Sequence, residues 1–428
     1  MSDDLTPDER RVAEMLSSVG APRHRRVAPR EGPRPIRWLA LAGVAALVVA
    51  IAASAVVLPG ALGRPPGHRE TPPAVSRSTV PKVSPSITPG VQAEYAGAGA
   101  RMDAAQDLWL VGQTSLAVSR DGGTTWNRLP LPPGATASDI YAISVLPTET
   151  VVVTSVVPLD AVTISTFTTG QSQWHWQTVS VGAGQVGTVQ IVDSSGTLEG
   201  LMIVLTTSSN FSEGAWLGTP DGGATWQVRS APVGGVVTAA GGELWLVGGA
   251  ANQDVYVTSD NSASWQLVDV PVTVGTEVAY GPVQASGSGI VLTANLANTD
   301  EIQVVTGNAT KSGWQWTPGP IVGLGGQYGV GGTASSSVAD GVLWLVGWTG
   351  TVARVTLATG SVLKADAVGL PSSGSDLVVS ASSSLAAVAS YSMYVCVTTG
   401  CAMQAGMVAT SDGGSLWIPV PDPFMGTS

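Results

Sequence analysis

The chain has 428 residues, of which 44% are hydrophobic and 11% charged, with 53 Gly and 28 Pro. That much apolar surface with so few charges excludes an intrinsically disordered chain. A net charge of −11 excludes nucleic acid as the main partner, because phosphate binding needs a concentrated basic footprint. Two cysteines are too few for a disulfide framework or a four-cysteine zinc site.

Residues 1–37 carry eight Arg and six acids, with six of the Arg between Arg23 and Arg37. Thr6-Pro7-Asp8-Glu9 reads as a helix start, and Val12, Met15, Leu16 and Val19 follow at helical spacing up to Gly20, a short amphipathic helix. Trp38 to Leu58 then runs 21 residues without a charge, about 31 Å as a helix, enough to cross a bilayer. The span follows a 37-residue segment and is longer than a signal-peptide core, so a retained single-span anchor is expected rather than a cleaved leader. The Arg cluster places the N-terminus in the cytoplasm and the remainder outside. Residues 59–91, rich in Pro, Ser and Thr, read as a semi-rigid linker. With 16 Arg against 3 Lys, the composition is bacterial in character.

From 92 to 428 the chain repeats. Ser119-x-Asp121-x-Gly123-x-Thr125-Trp126 recurs as Thr219-x-Asp221-x-Gly223-x-Thr225-Trp226, Thr258-x-Asp260-x-Ser262-x-Ser264-Trp265 and Thr410-x-Asp412-x-Gly414-x-Leu416-Trp417. Leu-Trp-Leu-Val-Gly precedes three of the units, at 108–112, 244–248 and 343–347. The motif is turn chemistry. The carboxylate accepts backbone amides, Gly supplies positive φ, and the Trp opens an outgoing strand and buries its ring beneath the hairpin. Ser262 in place of Gly, and Leu416 in place of Thr or Ser, are expected to loosen the third and fourth copies.

This pattern resembles the Asp-box (BNR) repeat of β-propellers such as sialidases, sortilin-type receptors and the photosystem II assembly-factor group. Thr169-Gly170 leading to Trp174, Thr306-Gly307 leading to Trp314, and Val355 to Val362 read as eroded copies. Outgoing strands are then marked near 126, 176, 226, 265, 316, 361 and 417, which gives an all-β, seven-bladed propeller of four-stranded blades. The resemblance implies that the boxes are scaffold on one face. It implies ligand binding on the other, in loops between the second and third strands.

The resemblance does not extend to sialidase chemistry. The domain has five Arg (Arg101, Arg120, Arg128, Arg229, Arg354), three of them in or just after boxes, and the sialidase Arg-Ile-Pro signature is missing. Its one histidine, His175, cannot build a multi-histidine metal centre, and no nucleophile elbow, P-loop or Cys-x-x-Cys is present. No catalytic residue, cofactor or metal is assigned. In the loops between second and third strands lie Asp160, Glu213, Asp254, Asp300 and Glu301, from four consecutive blades, within a domain of 7 basic and 23 acidic residues. Tyr391 and Tyr394 fall in the longest such loop and suit a contact surface. Cys396 and Cys401 lie there too, and outside the membrane they are expected to form a disulfide.

The sequence thus points to a membrane-anchored, extracytoplasmic propeller acting as a non-catalytic binding or assembly module. Its expected partner is a cell-envelope protein or a glycan, and nucleic acid is not a partner. The alternative is a glycoside hydrolase using paired loop carboxylates.

Overall fold

The computed structural model describes residues 95–424 apart from 102–103, 158, 183, 207–212, 261, 274–277, 312, 326–333, 348, 372–374, 398–399 and 422. These residues fall within one compact unit, Pro81–Ser428. The tail at 1–37, the membrane span at 38–58 and the linker at 59–91 lie outside the described residues. Among the described residues no helix is long and apolar enough to cross a membrane.

Seven antiparallel sheets follow one another along the chain, each a meander. Blade 1 holds β1 (Tyr95–Arg101), β2 (Ala104–Gly112), β3 (Ser115–Ser119) and β4 (Asn127–Pro130). Blade 2 holds β5 (Ile140–Val145), β6 (Glu149–Ser155), β7 (Ala161–Thr168) and β8 (His175–Ser180). Blade 3 holds β9 (Gln185–Ser194), β10 (Thr197–Thr206), β11 (Glu213–Gly218) and β12 (Gln227–Ala231). Blade 4 holds β13 (Gly235–Ala240), β14 (Glu243–Gly248), β15 (Asp254–Thr258) and β16 (Gln266–Val268). In blade 5 the inner strand is split into β17 (Val278–Tyr280) and β18 (Gln284–Ser286), both paired to β19 (Gly289–Leu296), with β20 (Glu301–Thr310) and β21 (Gly313–Gly323) outside. Pro282 sits in the split, where a residue without an N–H cannot continue the ladder. Blade 6 holds β22 (Ser335–Ala339), β23 (Val342–Val346), β24 (Thr351–Thr356) and β25 (Ser361–Asp366). Blade 7 holds β26 (Ser375–Ala381), β27 (Ala387–Val397), β28 (Gly400–Thr410) and β29 (Ile418–Pro419).

All seven outgoing-strand markers fall within or just before the fourth strand of a blade. One eroded copy is misplaced. Thr306 and Gly307 are mid-strand in β20, paired with Thr317 and Trp316, and the chain reverses only after Thr310. A Thr-Gly pair is turn chemistry only where no neighbouring strand takes up its backbone groups.

The blades are held face to face by apolar seams. The repeated Leu-Trp-Leu-Val run is buried almost throughout in β14 and β23, as expected of a strand covered on both faces. One hydrophobic cluster fills each junction: blades 1 and 2, 2 and 3, 3 and 4, 4 and 5, 5 and 6, and 6 and 7. The seventh joins Leu108, Leu110 and Ala117 of blade 1 to Val388 and Met407 of blade 7, and so closes the ring. Polar side chains of the inner strands cross several seams. Gln190 donates to the Val237 carbonyl at 3.0 Å and accepts the Val237 amide at 2.9 Å. Gln284 donates to Ser336 Oγ at 2.7 Å, and the Ala381 amide donates to Ser337 Oγ at 2.9 Å.

The seam between blades 7 and 1 is also clasped by the C-terminal segment. The Val420 amide donates to the Met407 carbonyl at 3.0 Å. The Val420 methyl occupies the space a side chain at Gly123 would need, and the Phe424 ring does the same at Gly112. Arg128 donates to the Pro423 carbonyl, and its guanidinium lies 5.3 Å from the centre of the Phe424 ring. All four strands of blade 7 are consecutive in the chain, and among the described residues no strand from the start of the ring joins that sheet.

Each box is a relay of hydrogen bonds. The Gly123 amide donates to Ser119 Oγ at 2.9 Å, and that hydroxyl donates to Asp121 at 2.8 Å. Asp121 then accepts the Thr125 amide at 2.8 Å and the Thr125 hydroxyl at 2.6 Å. The same four bonds recur around Asp221. They recur around Asp260 as well, contrary to the expected loosening: Ser262 takes the required left-handed backbone, φ 66°, and its amide still donates. The fourth box does lose a bond, because Leu416 donates to Asp412 only through its amide, at 3.1 Å. The indoles of Trp226 and Trp417 return to the Gly carbonyls of their own boxes at 3.0 Å.

Three outcomes follow. Deleting residues 420–428 uncovers the blade 1 face of the clasp, at a cost of about 3 kcal/mol, seen as a fall in Tm of several degrees. Replacing Leu416 by Thr supplies the missing hydroxyl to Asp412 and raises stability by about 1 kcal/mol, measured by chemical denaturation. The box carboxylates are all held below their ordinary range. The leading cause is the Thr125 hydroxyl at Asp121, the Thr225 amide at Asp221, the Ser264 hydroxyl at Asp260 and the Leu416 amide at Asp412. Carboxylates depressed in the folded state add stability above the unfolded pKa of about 3.9. That stability is lost as pH falls through the folded values. An Asp121→Asn, Asp221→Asn double variant therefore has a lower Tm at neutral pH and a flatter Tm profile below about pH 4.

Candidate functional site

Because each blade is a meander, its turns alternate between two faces of the ring. The turns between first and second strands share a face with the boxes. The turns between second and third strands share the other with the blade-to-blade connectors.

The acidic residues singled out in the sequence do lie where second strands give way to third: Asp160 before β7, Glu213 opening β11, Asp254 opening β15, and Asp300 and Glu301 at the start of β20. Two of them serve their own blades. Asp300 Oδ2 accepts the Gly325 amide at 3.3 Å, and its carbonyl accepts the Leu324 amide at 3.0 Å. The Asp254 carboxylate fills the space beside Gly249. Asp160 and Glu213 are exposed.

Tyr391 and Tyr394 are not in a loop. Both belong to β27, which runs in unbroken register with β28 from Ala387↔Thr410 to Val397↔Gly400. Tyr391 lies opposite Gly406, and its ring occupies the space a side chain there would need, so the aromatic covers the bare glycine. Burial raises its phenol pKa. It packs within blade 7. Cys396 and Cys401 stand directly opposite in the same register.

A large cavity of about 760 Å³ lies on the box face, at the mouth of the central channel. Its wall is made of inner strands of several blades, including Ile143, Gln190, Val237, Gln284 and Val338, and its rim of turns in blades 3 and 4. Three carboxylates belong to it, Asp193, Glu199 and Glu243, and among the described residues no Lys, Arg or His does. Asp193 and Glu199 flank the tight turn at Ser195 and Gly196, φ 51° and 81°, the left-handed pair that two-residue hairpins require. Glu199 is the unpaired residue of a bulge: Leu198 pairs with Asp193 and Gly200 with Val192. Bulges re-aim side chains at sheet edges, and this one gives Glu199 to the mouth. Burial raises the Glu199 pKa. Glu243 follows the Gly241-Gly242 turn and accepts the Trp314 indole N–H from blade 5 at 2.7 Å.

The arginines with described side chains are committed elsewhere. Arg120 donates to the carbonyls of Leu146 and Glu149, and Arg354 donates to the Ser384 carbonyl while stacking on Trp344. Arg128 serves the clasp, and Arg229 donates to the side chain of Gln227. His175 is exposed on β8. Among the described residues no group of three His, Cys, Asp or Glu could hold a metal ion. The mouth carboxylates were not singled out from sequence. Their one signal was an acid on either side of a short Gly-containing turn between first and second strands.

No family model matches the chain, and no curated protein matches it. Similar solved structures include YCF48 bound to D1 peptide, 15% identical with a TM-score of 0.46, over 78% of this chain and 96% of that one. YCF48 from Cyanidioschyzon merolae is 15% identical with a TM-score of 0.36, over 78% and 86%. Apo AztD from Citrobacter koseri is 10% identical with a TM-score of 0.44, over 74% and 89%. These likenesses are too slight to say what this chain binds.

Proposed function

We propose that the chain is a non-catalytic binding module of the Asp-box type, held outside the cell by the span at 38–58 and the linker at 59–91. It takes a positively charged segment of a cell-envelope protein into the mouth of its channel. The observation that carries this reading is the charge of the mouth: Asp193, Glu199 and Glu243 share one concave wall that, among the described residues, holds no basic side chain. A concave surface of one sign focuses its field and draws in the opposite charge. A basic protein segment suits it better than a neutral glycan. Asp160 and Glu213, exposed on the opposite face, lie outside this mouth.

In the same reading the two cysteines form a cross-strand disulfide. Two residues separate Val397 from Gly400, so that closing pair is hydrogen-bonded. The next pair, Cys396 and Cys401, is then the closer, non-hydrogen-bonded kind, which suits an S–S bridge.

Titrating the full chain with a Lys-rich peptide by calorimetry tests the main reading. Binding should weaken steeply with salt and by about tenfold in Glu199→Gln or Glu243→Gln, a loss of about 1.4 kcal/mol each. It should also weaken as pH falls into the carboxylate range, and at a higher pH than for an ordinary Glu, because burial raises the Glu199 pKa. Affinity unchanged in both variants overturns the reading.

A second reading rests on the same residue. A partly buried carboxyl with raised pKa, in one mouth with a second carboxyl, is a pairing used in glycoside hydrolysis. Turnover of a chromogenic glycoside by the full chain, abolished in Glu199→Gln, would replace the binding reading.

A further inference from the structure

The middle hairpin of blade 7 carries an open edge. β27 and β28 have 11 residues each, but the outermost strand β29 has two, and it pairs only with Val408 and Ala409. The sequence explains why it stops. Residues 419–424 read Pro-Val-Pro-Asp-Pro-Phe, and a proline at every second position removes the N–H groups a ladder needs. The Val420 amide makes one last bond, to the Met407 carbonyl at 3.0 Å. Among the described residues no strand pairs with the outer edge of β28 from Gly400 to Gly406.

The register says which groups are open. The outer side of Met407 takes the Val420 amide, and bonding alternates along an antiparallel pair. Cys401, Met403 and Ala405 therefore direct their backbone N–H and C=O groups outward. Natural sheets guard such edges with Lys, Pro or a bulge. This hairpin has none of these. Residues 387–410 contain no charge and no proline, and the pairing of β27 with β28 has no register shift.

We propose that a second copy of this chain adds its own β28 to this edge, forming a two-fold symmetric dimer. The register is self-complementary. With Met403 opposite the partner's Met403, Cys401 falls opposite the partner's Ala405 and Ala405 opposite the partner's Cys401. Every outward N–H of the three residues then meets a C=O of the partner copy, and every outward C=O an N–H, as an isologous antiparallel pairing demands. Charge favours this occupant. The domain carries 23 acids against 7 bases, so two copies repel over most of their surface, and this uncharged stretch is where like copies can approach. The contact is small beside ordinary interfaces, so the dimer is weak in dilute solution and is strengthened where a shared membrane concentrates the chains.

Sedimentation of the full chain in detergent tests the proposal. The wild-type chain should show a concentration-dependent mass rising to twice that of one chain. Met403→Lys places two like charges on the two-fold axis and should stay monomeric, as should Met403→Glu. An equimolar mixture of the two should regain the doubled mass, which a mere folding defect would not do. Ala405→Pro removes an outward N–H without touching a bond to β27 and should also be monomeric, with far-ultraviolet circular dichroism unchanged. A wild-type chain that stays monomeric at every concentration overturns the proposal. So does a Met403→Lys chain that dimerises like wild type, which would place the contact elsewhere, or single variants that stay monomeric without rescue on mixing.

Discussion

The fold depends on sheets that are apolar on both faces. A sheet with one wet face ends a domain, whereas a sheet with two dry faces must be covered twice. Seven such sheets in sequence can satisfy one another only by closing into a ring. The runs Leu108–Gly112, Leu244–Gly248 and Leu343–Gly347 are where this demand is written most plainly. The seven clusters that fill the junctions are its solution. The boxes are subordinate to it. Each ties down a hairpin so that the chain returns at the right height, and its Trp adds area to the covering layer, as Trp417 does at the junction of blades 6 and 7.

What could be read from sequence was what is local. An Asp that accepts an amide four residues on leaves the same spacing in every copy, so the boxes and the seven outgoing strands were legible even where the motif had eroded. The exception is instructive: Thr306-Gly307 has the composition of a turn, but its backbone is already paired within β20, and composition cannot show that. Tyr391 failed for a related reason. The stretch around it is built of small residues without apolar alternation and reads as a loop, yet its partner strand is equally long, and the bare Gly406 opposite accommodates the ring. Ser262 shows the converse. A serine can hold a left-handed turn when the remaining bonds of the box over-determine the backbone.

The mouth was not legible because nothing local marks it. Glu199 reaches it through a one-residue bulge, Glu243 through a glycine turn held by a tryptophan of the next blade, and Asp193 through a hairpin partnership. Three separate local events converge only once the ring exists. The arginines offer the complement. Four of the five are committed to carbonyls, rings or a neighbouring side chain within the scaffold, so the few positive charges of the domain serve its construction while the channel keeps its negative sign.

Closure by a clasp from Val420 to Phe424 sets the order in which the ring can close. A chain made from its N-terminus delivers blade 1 first, with Leu108, Leu110 and Ala117 bare on one side. Their cover, Val388, Met407, Val420 and Phe424, arrives some three hundred residues later. Until the final segment emerges the nascent protein presents a greasy flank to its surroundings. A chain cut short before Val420 would keep part of that flank bare for good.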